Sequence, residues 1–223
     1  MVQADPMPTQ LPRRRVLAGL GALAGLAGVS ARPAPSQAQD GVWNWAEPRA
    51  IVERLRRGGL VVFLRHADTS GMPADKTFDV DDRDGQQNLS EAGRRQAAAI
   101  GNAFKRLSIP VGEVRASPVL RARDTAEIAF GIDRVKVEPD LIAREYENER
   151  PAEDLVRSLR RMLSTRPPKD NLILVGHLAQ LGQAIRLPLT DAQFPEGSAA
   201  VFRPMGGDGF LHVGTLVAGW EKF

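Results

Sequence analysis

The feature that most constrains this chain is a pair of apolar runs, each of which ends in a histidine. Residues 60–66 read LVVFLRH and residues 171–177 read NLILVGH. Runs that are apolar on both faces are typical of strands in a parallel sheet that helices cover on both sides. Ligands of such sheets bind beyond the carboxyl ends of the strands. We therefore expect His66 and His177 to lie at a functional edge of a sheet.

The rest of the chain alternates between helical and strand patterns. Helices are predicted over 47–59, 90–107, 119–131, 151–166 and 178–187, and short strands over 113–117 and 135–137. Two further strands, 197–204 and 209–217, flank Gly206-Gly207 as a predicted hairpin. The alternation, with no internal repeat, predicts one α/β domain.

The first 38 residues are predicted to be an export signal. Arg13–Arg15 precede an apolar stretch from Val16 to Val29, and Ser36-Gln37-Ala38 supply small residues for cleavage. The paired arginines fit a twin-arginine signal, which predicts a periplasmic or secreted protein with its single domain in residues 39–223. The apolar stretch is short and glycine-rich, so we expect no stable membrane span after signal removal. An uncleaved N-terminal anchor is the alternative.

Composition excludes several classes of site. The chain has no cysteine, which rules out disulfides and thiolate metal sites. Its three histidines rule out a histidine-rich metal cage and leave a sparse carboxylate-histidine site as an alternative. The predicted signal holds four arginines and one aspartate, so the remaining chain carries 26 basic and 26 acidic residues. The basic pI of the whole chain is therefore no argument for a nucleic-acid partner, and we expect none.

Two arginines accompany the histidines. Arg65 directly precedes His66, and the segment SPVLRARDTA carries Arg121 into the helix that follows the strand 113–117. If the three strand ends are neighbours, two guanidiniums and two imidazoles converge on one spot. A planar guanidinium can bind two phosphate oxygens at once, so this spot is a predicted phosphate site.

Each of these residues also has a simpler explanation. A histidine at a strand end is often a capping or surface group, and His212 in FLHVG is expected to be structural. Arg65 could form an ion pair with Asp68, and Arg121 could belong to a basic helix face that it shares with Arg123. The joint arrangement favours the phosphate site.

Residues 67–87, here called the lid loop, are polar, acidic and without periodicity. A loop this long after a buried strand is more often functional than a simple connection.

The segments LRHADT, NLSEAGRRQAAAIG, ASPVLRARDTA and LILVGH resemble, in order and spacing, branch 1 of the histidine phosphatase superfamily, also called phosphoglycerate mutase-like. The resemblance spans residues 60–203. RHA stands where Arg-His-Gly is commoner, a change that keeps both chemical residues. The resemblance implies a three-layer α/β/α sandwich with a mostly parallel central sheet.

The resemblance also implies the roles of the site residues. His66 would be the nucleophile that forms a phosphohistidine, with Arg65, Arg121 and His177 binding the transferred phosphoryl group and Asn88 reaching the phosphate from the lid loop. Phosphoryl transfer depends mainly on positioning and charge stabilisation, which fixed arginines provide. A neutral imidazole is a competent nucleophile. The scheme needs no metal and no cofactor.

The general acid is less well specified. In the family an acidic residue lies on a loop between the second arginine and the second histidine, where PDLIAREYENERP offers Glu145, Glu147 and Glu149. Glu145 best matches the family pattern, and Asp68 beside the nucleophile is the rival.

The sequence thus predicts an exported, metal-independent phosphomonoesterase of histidine acid phosphatase type, acting on a small phosphorylated substrate. Resemblance to small secreted members makes phosphorylated envelope sugars one candidate substrate class. The alternatives are a non-catalytic phosphate- or envelope-binding module, a mutase-like phosphotransferase, and a phosphatase of phosphohistidine. The oligomeric state is left open.

Overall fold

The computed structural model describes residues 46–222, so the predicted export signal lies outside the described residues. The strands are β1 (Val61–Arg65), β2 (Val111–Ala116), β3 (Val135–Val137), β4 (Asn171–Gly176), β5 (Ala199–Gly206) and β6 (Gly209–Leu216). The helices are α1 (Pro48–Leu55), α2 (Glu91–Arg106), α3 (Leu120–Phe130), α4 (Ala152–Ser164) and α5 (Leu178–Ile185). Short 3₁₀ turns occur at Arg83–Gly85, Ile132–Arg134, Pro139–Leu141, Arg144–Tyr146 and Trp220–Lys222.

The strands form one six-stranded sheet in the order β3-β2-β4-β1-β5-β6. The first four strands of this order run parallel to one another, and β5 and β6 add an antiparallel hairpin at one edge. All residues of β1 and β4 are buried, as expected of strands that are apolar except for Arg65 and Asn171 at their ends.

Helices cover both faces of this sheet. On one face, α1, α2 and α3 pack against alternate strand residues such as Val62, Leu64 and Ile173. On the other face, α4 and α5 pack against the intervening residues, which include Phe63 and Leu174. The side chains of a strand alternate between faces, so each apolar strand supplies both cores. The predicted three-layer α/β/α sandwich with a mostly parallel sheet is confirmed.

The helix bounds follow local signals in the sequence. Helix α2 begins after Ser90, whose hydroxyl accepts a hydrogen bond of 2.9 Å from the backbone N–H of Gly93, as expected of an N-cap. Helix α1 ends at Leu55, earlier than predicted. Gly58 and Gly59 both take positive φ and turn the chain into β1.

The order and register of the strands position the candidate site. Because β4 lies between β1 and β2, the carboxyl ends of all three strands are adjacent. Arg65 pairs with Gly176 in register, and the backbone N–H of His66 donates to the carbonyl of Gly176 over 3.1 Å. On the other side of β4, the backbone N–H of Ser117 donates to the carbonyl of Val175 over 2.9 Å. The three strand ends are therefore level with one another.

Among residues 46–222, no helix combines the length and the apolar character that crossing a membrane requires.

Candidate active site

Four predicted residues meet at this edge of the sheet. Arg65 is the last residue of β1 and His66 follows it, His177 follows β4, and Arg121 lies in the first turn of α3, just after β2. The ring centroids of the two histidines are 5.5 Å apart. All four side chains are buried. The structure thus brings together two imidazoles and two guanidiniums from three separate segments.

The imidazole of His66 is held as a neutral ring with a defined free nitrogen. Its Nδ1 lies 3.0 Å from the carbonyl oxygen of Ala67, which can only accept a hydrogen bond, so Nδ1 carries the hydrogen. The lone pair is then on Nε2. Burial, reinforced by the charges of Arg121 and Arg65, lowers the pKa of His66 to about 3. At neutral pH the ring is therefore uncharged and nucleophilic at Nε2.

His177 is also uncharged at neutral pH. Its burial, together with the neighbouring His66, Arg121 and Arg65, lowers its pKa well below the ordinary value for histidine. Its Nε2 forms a hydrogen bond of 2.9 Å with the hydroxyl of Ser117, which anchors the ring to the end of β2. This contact ties the β2 and β4 ends of the site together.

Arg65 is fixed by the segment that precedes β5. Its Nη1 donates to the carbonyl of Phe194 over 2.7 Å, and its Nη2 forms an ion pair of 2.7 Å with the exposed carboxylate of Asp191. The predicted alternative of an Arg65–Asp68 pair is not found. The Nε of Arg65 is buried and has no hydrogen-bond partner among residues 46–222. A buried charged donor without an acceptor is costly, and an anionic ligand is the kind of group that would satisfy it.

Arg121 contacts the lid loop instead of the solvent. Its Nη1 lies 3.3 Å from both carboxylate oxygens of Asp75, and the hydroxyl of Tyr146 donates to the same carboxylate. The guanidinium carbon of Arg121 also lies 5.7 Å from the centre of the Tyr146 ring. The lid residue Phe78 meets this ring edge-on, with centroids 5.4 Å apart. The lid loop is thus attached to one of the two arginines of the site.

The hydroxyl of Tyr146 stays protonated and donates a hydrogen bond. Burial and the neighbouring carboxylate of Asp75 raise the pKa of its hydroxyl well above the ordinary value for tyrosine. It lies in the 3₁₀ turn Arg144–Tyr146, one residue after the predicted acid Glu145. The sequence pattern predicted only glutamates of this segment as acids, and neither Tyr146 nor Asp75 of the lid loop was predicted to be a site residue.

Glu196 is a further residue of the site that sequence analysis missed. Its Oε1 lies 3.8 Å from Nδ1 of His66 and 3.7 Å from Nη2 of Arg65. Its two oxygens accept hydrogen bonds of 2.8 Å from the backbone N–H and the hydroxyl of Thr69. The backbone N–H of Gly197 donates to the carbonyl of His66 over 2.9 Å. A single glutamate in the sequence FPEGS has no pattern from which a site role could be predicted. Glu196 lies beside His66 because the strand that follows it, β5, pairs with β1.

The predicted acids have other surroundings. Glu145 and Glu149 are exposed, and Glu147 forms an ion pair of 2.6 Å with Arg150. Among residues 46–222, no hydrogen bond or ion pair joins these three glutamates to His66 or to either arginine of the site.

Asp68 accepts hydrogen bonds from the hydroxyls of Ser70 and Ser90 and makes none with His66. Burial alone would raise the pKa of its carboxyl. The hydrogen bonds from the two serines outweigh that effect and hold the pKa below its usual value. Asp68 is thus a stabilised carboxylate and a poor proton donor.

Asn88 and His212 lie in structural surroundings. Asn88 directly follows the lid loop, and its amide donates to the carbonyls of the loop residues Arg83 and Gln86 over 2.7 and 2.9 Å. His212 lies on β6, where its Nε2 is 3.0 Å from the hydroxyl of Thr215. The structure brings neither residue into contact with the four central side chains.

No group of three or more histidine, aspartate or glutamate side chains within residues 46–222 is arranged to hold a metal ion.

Comparison with known proteins agrees with this architecture. Residues 61–149 match the family model of the histidine phosphatase superfamily, branch 1, a range that includes Arg65, His66 and Arg121. No curated protein matches the chain.

Three solved structures show the same fold. The protein histidine phosphatase SixA complexed with tungstate is 16% identical, with 72% of this chain and 97% of that chain covered and a TM-score of 0.53. Phosphoserine phosphatase from Entamoeba histolytica is 14% identical, with 70% and 95% covered and a TM-score of 0.51. The product of open reading frame Rv3214 from Mycobacterium tuberculosis is 21% identical, with 73% and 100% covered and a TM-score of 0.50.

The family match begins at β1 and includes the Arg65-His66 pair. Strand β4 and His177, which follows it, lie beyond the matched range and belong to the same sheet edge. The match places the segment that carries Arg65, His66 and Arg121 in the histidine phosphatase superfamily, branch 1.

Proposed function

We propose that this protein is a phosphomonoesterase that works through a phosphohistidine on His66. The observation that carries the proposal is a neutral, buried imidazole whose Nε2 lone pair is free, set beside two buried guanidiniums. Similarity to the superfamily supports phosphatase chemistry. The geometry adds a nucleophile whose protonation state and tautomer are already correct before substrate arrives.

The reaction proceeds in two displacements. In the first, Nε2 of His66 attacks the phosphorus, a P–N bond forms, the ester P–O bond breaks, and the leaving alkoxide takes up a proton. In the second, water attacks the phosphorus and gives a proton to the carboxylate that protonated the alkoxide, the P–N bond breaks, and inorganic phosphate leaves as His66 regains its neutral form. Dividing hydrolysis into two displacements lowers the barrier of each.

The two arginines stabilise the charge of the transferred group. Arg65 offers its buried Nε–H, which has no acceptor among residues 46–222, and Arg121 offers a guanidinium that now faces the carboxylate of Asp75. Fixed cations in a water-poor site stabilise the charge of the phosphoryl oxygens without reorganisation. His177 completes the lining of the site beside His66.

We assign proton donation to Asp75, which reaches the site from the lid loop together with Tyr146. Before substrate binds, its carboxylate is paired with Arg121. The substrate phosphate takes its place on Arg121, and the carboxyl released from that cation can carry the proton. The other two carboxyls near the site are less suitable. Glu196 lies on the Nδ1 side of His66, away from the attacking nitrogen, and the side chain of Asp191 is 81% exposed.

The wider setting of the enzyme is also proposed. The pattern of residues 1–38 supports export to the periplasm or the exterior, and the absence of a required metal follows from the mechanism above. Similarity to the histidine phosphatase superfamily supports a small phosphorylated substrate, with phosphorylated sugars as one class.

The test is an assay of the purified protein against a generic aryl phosphate, with and without a chelator. We expect chelator-resistant turnover that His66→Gln abolishes and that His212→Gln, the matched histidine outside the site, retains. Rapid quenching should trap a phosphoenzyme that is stable in alkali and labile in acid, as phosphohistidine is. Folded protein without turnover would instead favour a non-catalytic phosphate-binding module.

A further inference from the structure

A second cationic site lies at the opposite end of the sheet. A cleft of about 650 Å³ is lined by four arginines, namely Arg54 and Arg57 at the end of α1, Arg166 after α4, and Arg203 on β5. Its size is that of an ordinary small-ligand pocket.

This cleft is separate from the candidate active site. Gly58, Gly59 and Leu60, which lead into β1, line the cleft, whereas His66 follows the other end of the same strand. A strand of this length spans about 17 Å at roughly 3.3 Å per residue. A small substrate bound at His66 therefore cannot reach the cleft.

The charge of the cleft is not neutralised by the described part of the protein. No acidic residue lines it, and none of its four arginines forms an ion pair or a side-chain hydrogen bond within residues 46–222. Exposed arginines elsewhere do have partners, as Arg56 has with Glu53. Four like charges around one concavity repel one another and create a local positive potential that attracts anions.

The walls of the cleft also have an apolar part. Leu60 and Val213 are buried beneath it, and Leu211 is half exposed at 50%. The guanidiniums offer paired donors for phosphate oxygens, while the leucines offer apolar contact. The combination fits a ligand with phosphate groups and an apolar portion.

We propose that this arginine cleft binds an anion carrying two or more phosphate groups. The ligand chemistry is that of a phosphorylated lipid headgroup or of a soluble polyphosphate. The site is independent of the phosphatase reaction at His66, and a ligand bound there anchors the protein without occupying the catalytic residues.

The experiment compares the wild-type protein with the double variant Arg57→Gln/Arg166→Gln. Binding is measured by calorimetry with inorganic tripolyphosphate, and by co-sedimentation with phosphatidylcholine vesicles with or without cardiolipin, a lipid whose headgroup carries two phosphate groups. The control is Arg49→Gln, an exposed arginine of α1 that lies outside the cleft. Any binding of tripolyphosphate at the active site is common to all three proteins and cancels in the comparison.

We expect the double variant to bind at least tenfold more weakly than both the wild type and the Arg49→Gln control, with aryl phosphate turnover unchanged. Loss confined to tripolyphosphate identifies a soluble polyphosphate as the source, and loss confined to anionic vesicles identifies a lipid headgroup. Equal binding by all three proteins, or no binding to either probe, overturns the proposal. Because turnover is recorded separately, failure of the cleft and failure of the phosphatase are distinguishable.

Discussion

The carboxylate of Glu196 lies 3.8 Å from Nδ1 of His66, on the side of the ring away from Nε2. In the proposed reaction, formation of a phosphohistidine at Nε2 while Nδ1 keeps its hydrogen gives the ring a positive charge. A carboxylate beside Nδ1 stabilises that charge, and the same carboxylate holds Thr69 in the loop after the nucleophile. Glu196 is therefore a positioning and electrostatic partner of His66.

We predict that Glu196→Gln lowers kcat about tenfold, the effect of roughly 1.4 kcal/mol, with little change in KM. The amide oxygen of glutamine can still accept from Thr69, so the loss isolates the charge. Asp191→Asn serves as the control, since it removes a carboxylate from Arg65 with no contact to His66. Steady-state and burst kinetics check the prediction, and equal losses in the two variants would contradict it.

Asp75 provides the second prediction, which concerns the leaving group. An alkyl phosphate has a poor leaving group that needs a proton, whereas an aryl phosphate leaves readily without one. We expect Asp75→Asn to reduce turnover of an alkyl phosphate by about 100-fold, the typical contribution of a general acid, and that of an aryl phosphate far less. Glu145→Gln should leave both rates unchanged. The opposite pattern would restore the acid role to Glu145.

The third prediction concerns the pH dependence of His66. Burial lowers its pKa to about 3 in the folded protein, against an ordinary value of 6.5. Between these values the unfolded chain binds a proton that the folded chain does not. Protonation of His66 in the unfolded chain therefore lowers the free energy of unfolding as the pH falls below about 6.5, whereas at neutral pH the ring is uncharged in both states and has no such effect.

Long-range ¹H–¹⁵N correlation spectra of the imidazole nitrogens measure this directly. We expect His66 to remain neutral, with its hydrogen on Nδ1, from about pH 7 to about pH 5, while the denatured protein titrates near the ordinary histidine value. Titration of the folded His66 ring near pH 6.5 would show that the nucleophile is more open to water than its burial indicates.

Much of the fold was predictable because its signals are local. The apolar runs that became β1 and β4, the Ser90 cap of α2 and the Gly206-Gly207 hairpin each depend on residues close together in the chain. The end of α1 was less predictable, because Gly58 turns the chain against the backbone of Lys169 and Asp170, more than a hundred residues away.

The sequence by itself determined four residues at or just beyond the carboxyl ends of the central strands: Arg65, His66, Arg121 and His177. Their motifs are contiguous, and an apolar strand that ends in charged groups already indicates a site at the sheet edge.

Only the tertiary structure decided the partners of these residues. Asp75 meets Arg121 across 46 positions of the chain, and Glu196 reaches His66 across 130, through loops without periodicity. These loops meet at the carboxyl-end edge of the parallel strands because of the strand order and because β5 pairs antiparallel with β1. Carboxylates such as Glu145 are indistinguishable from Asp75 in sequence, because the role of an acid depends on which cation it faces after folding.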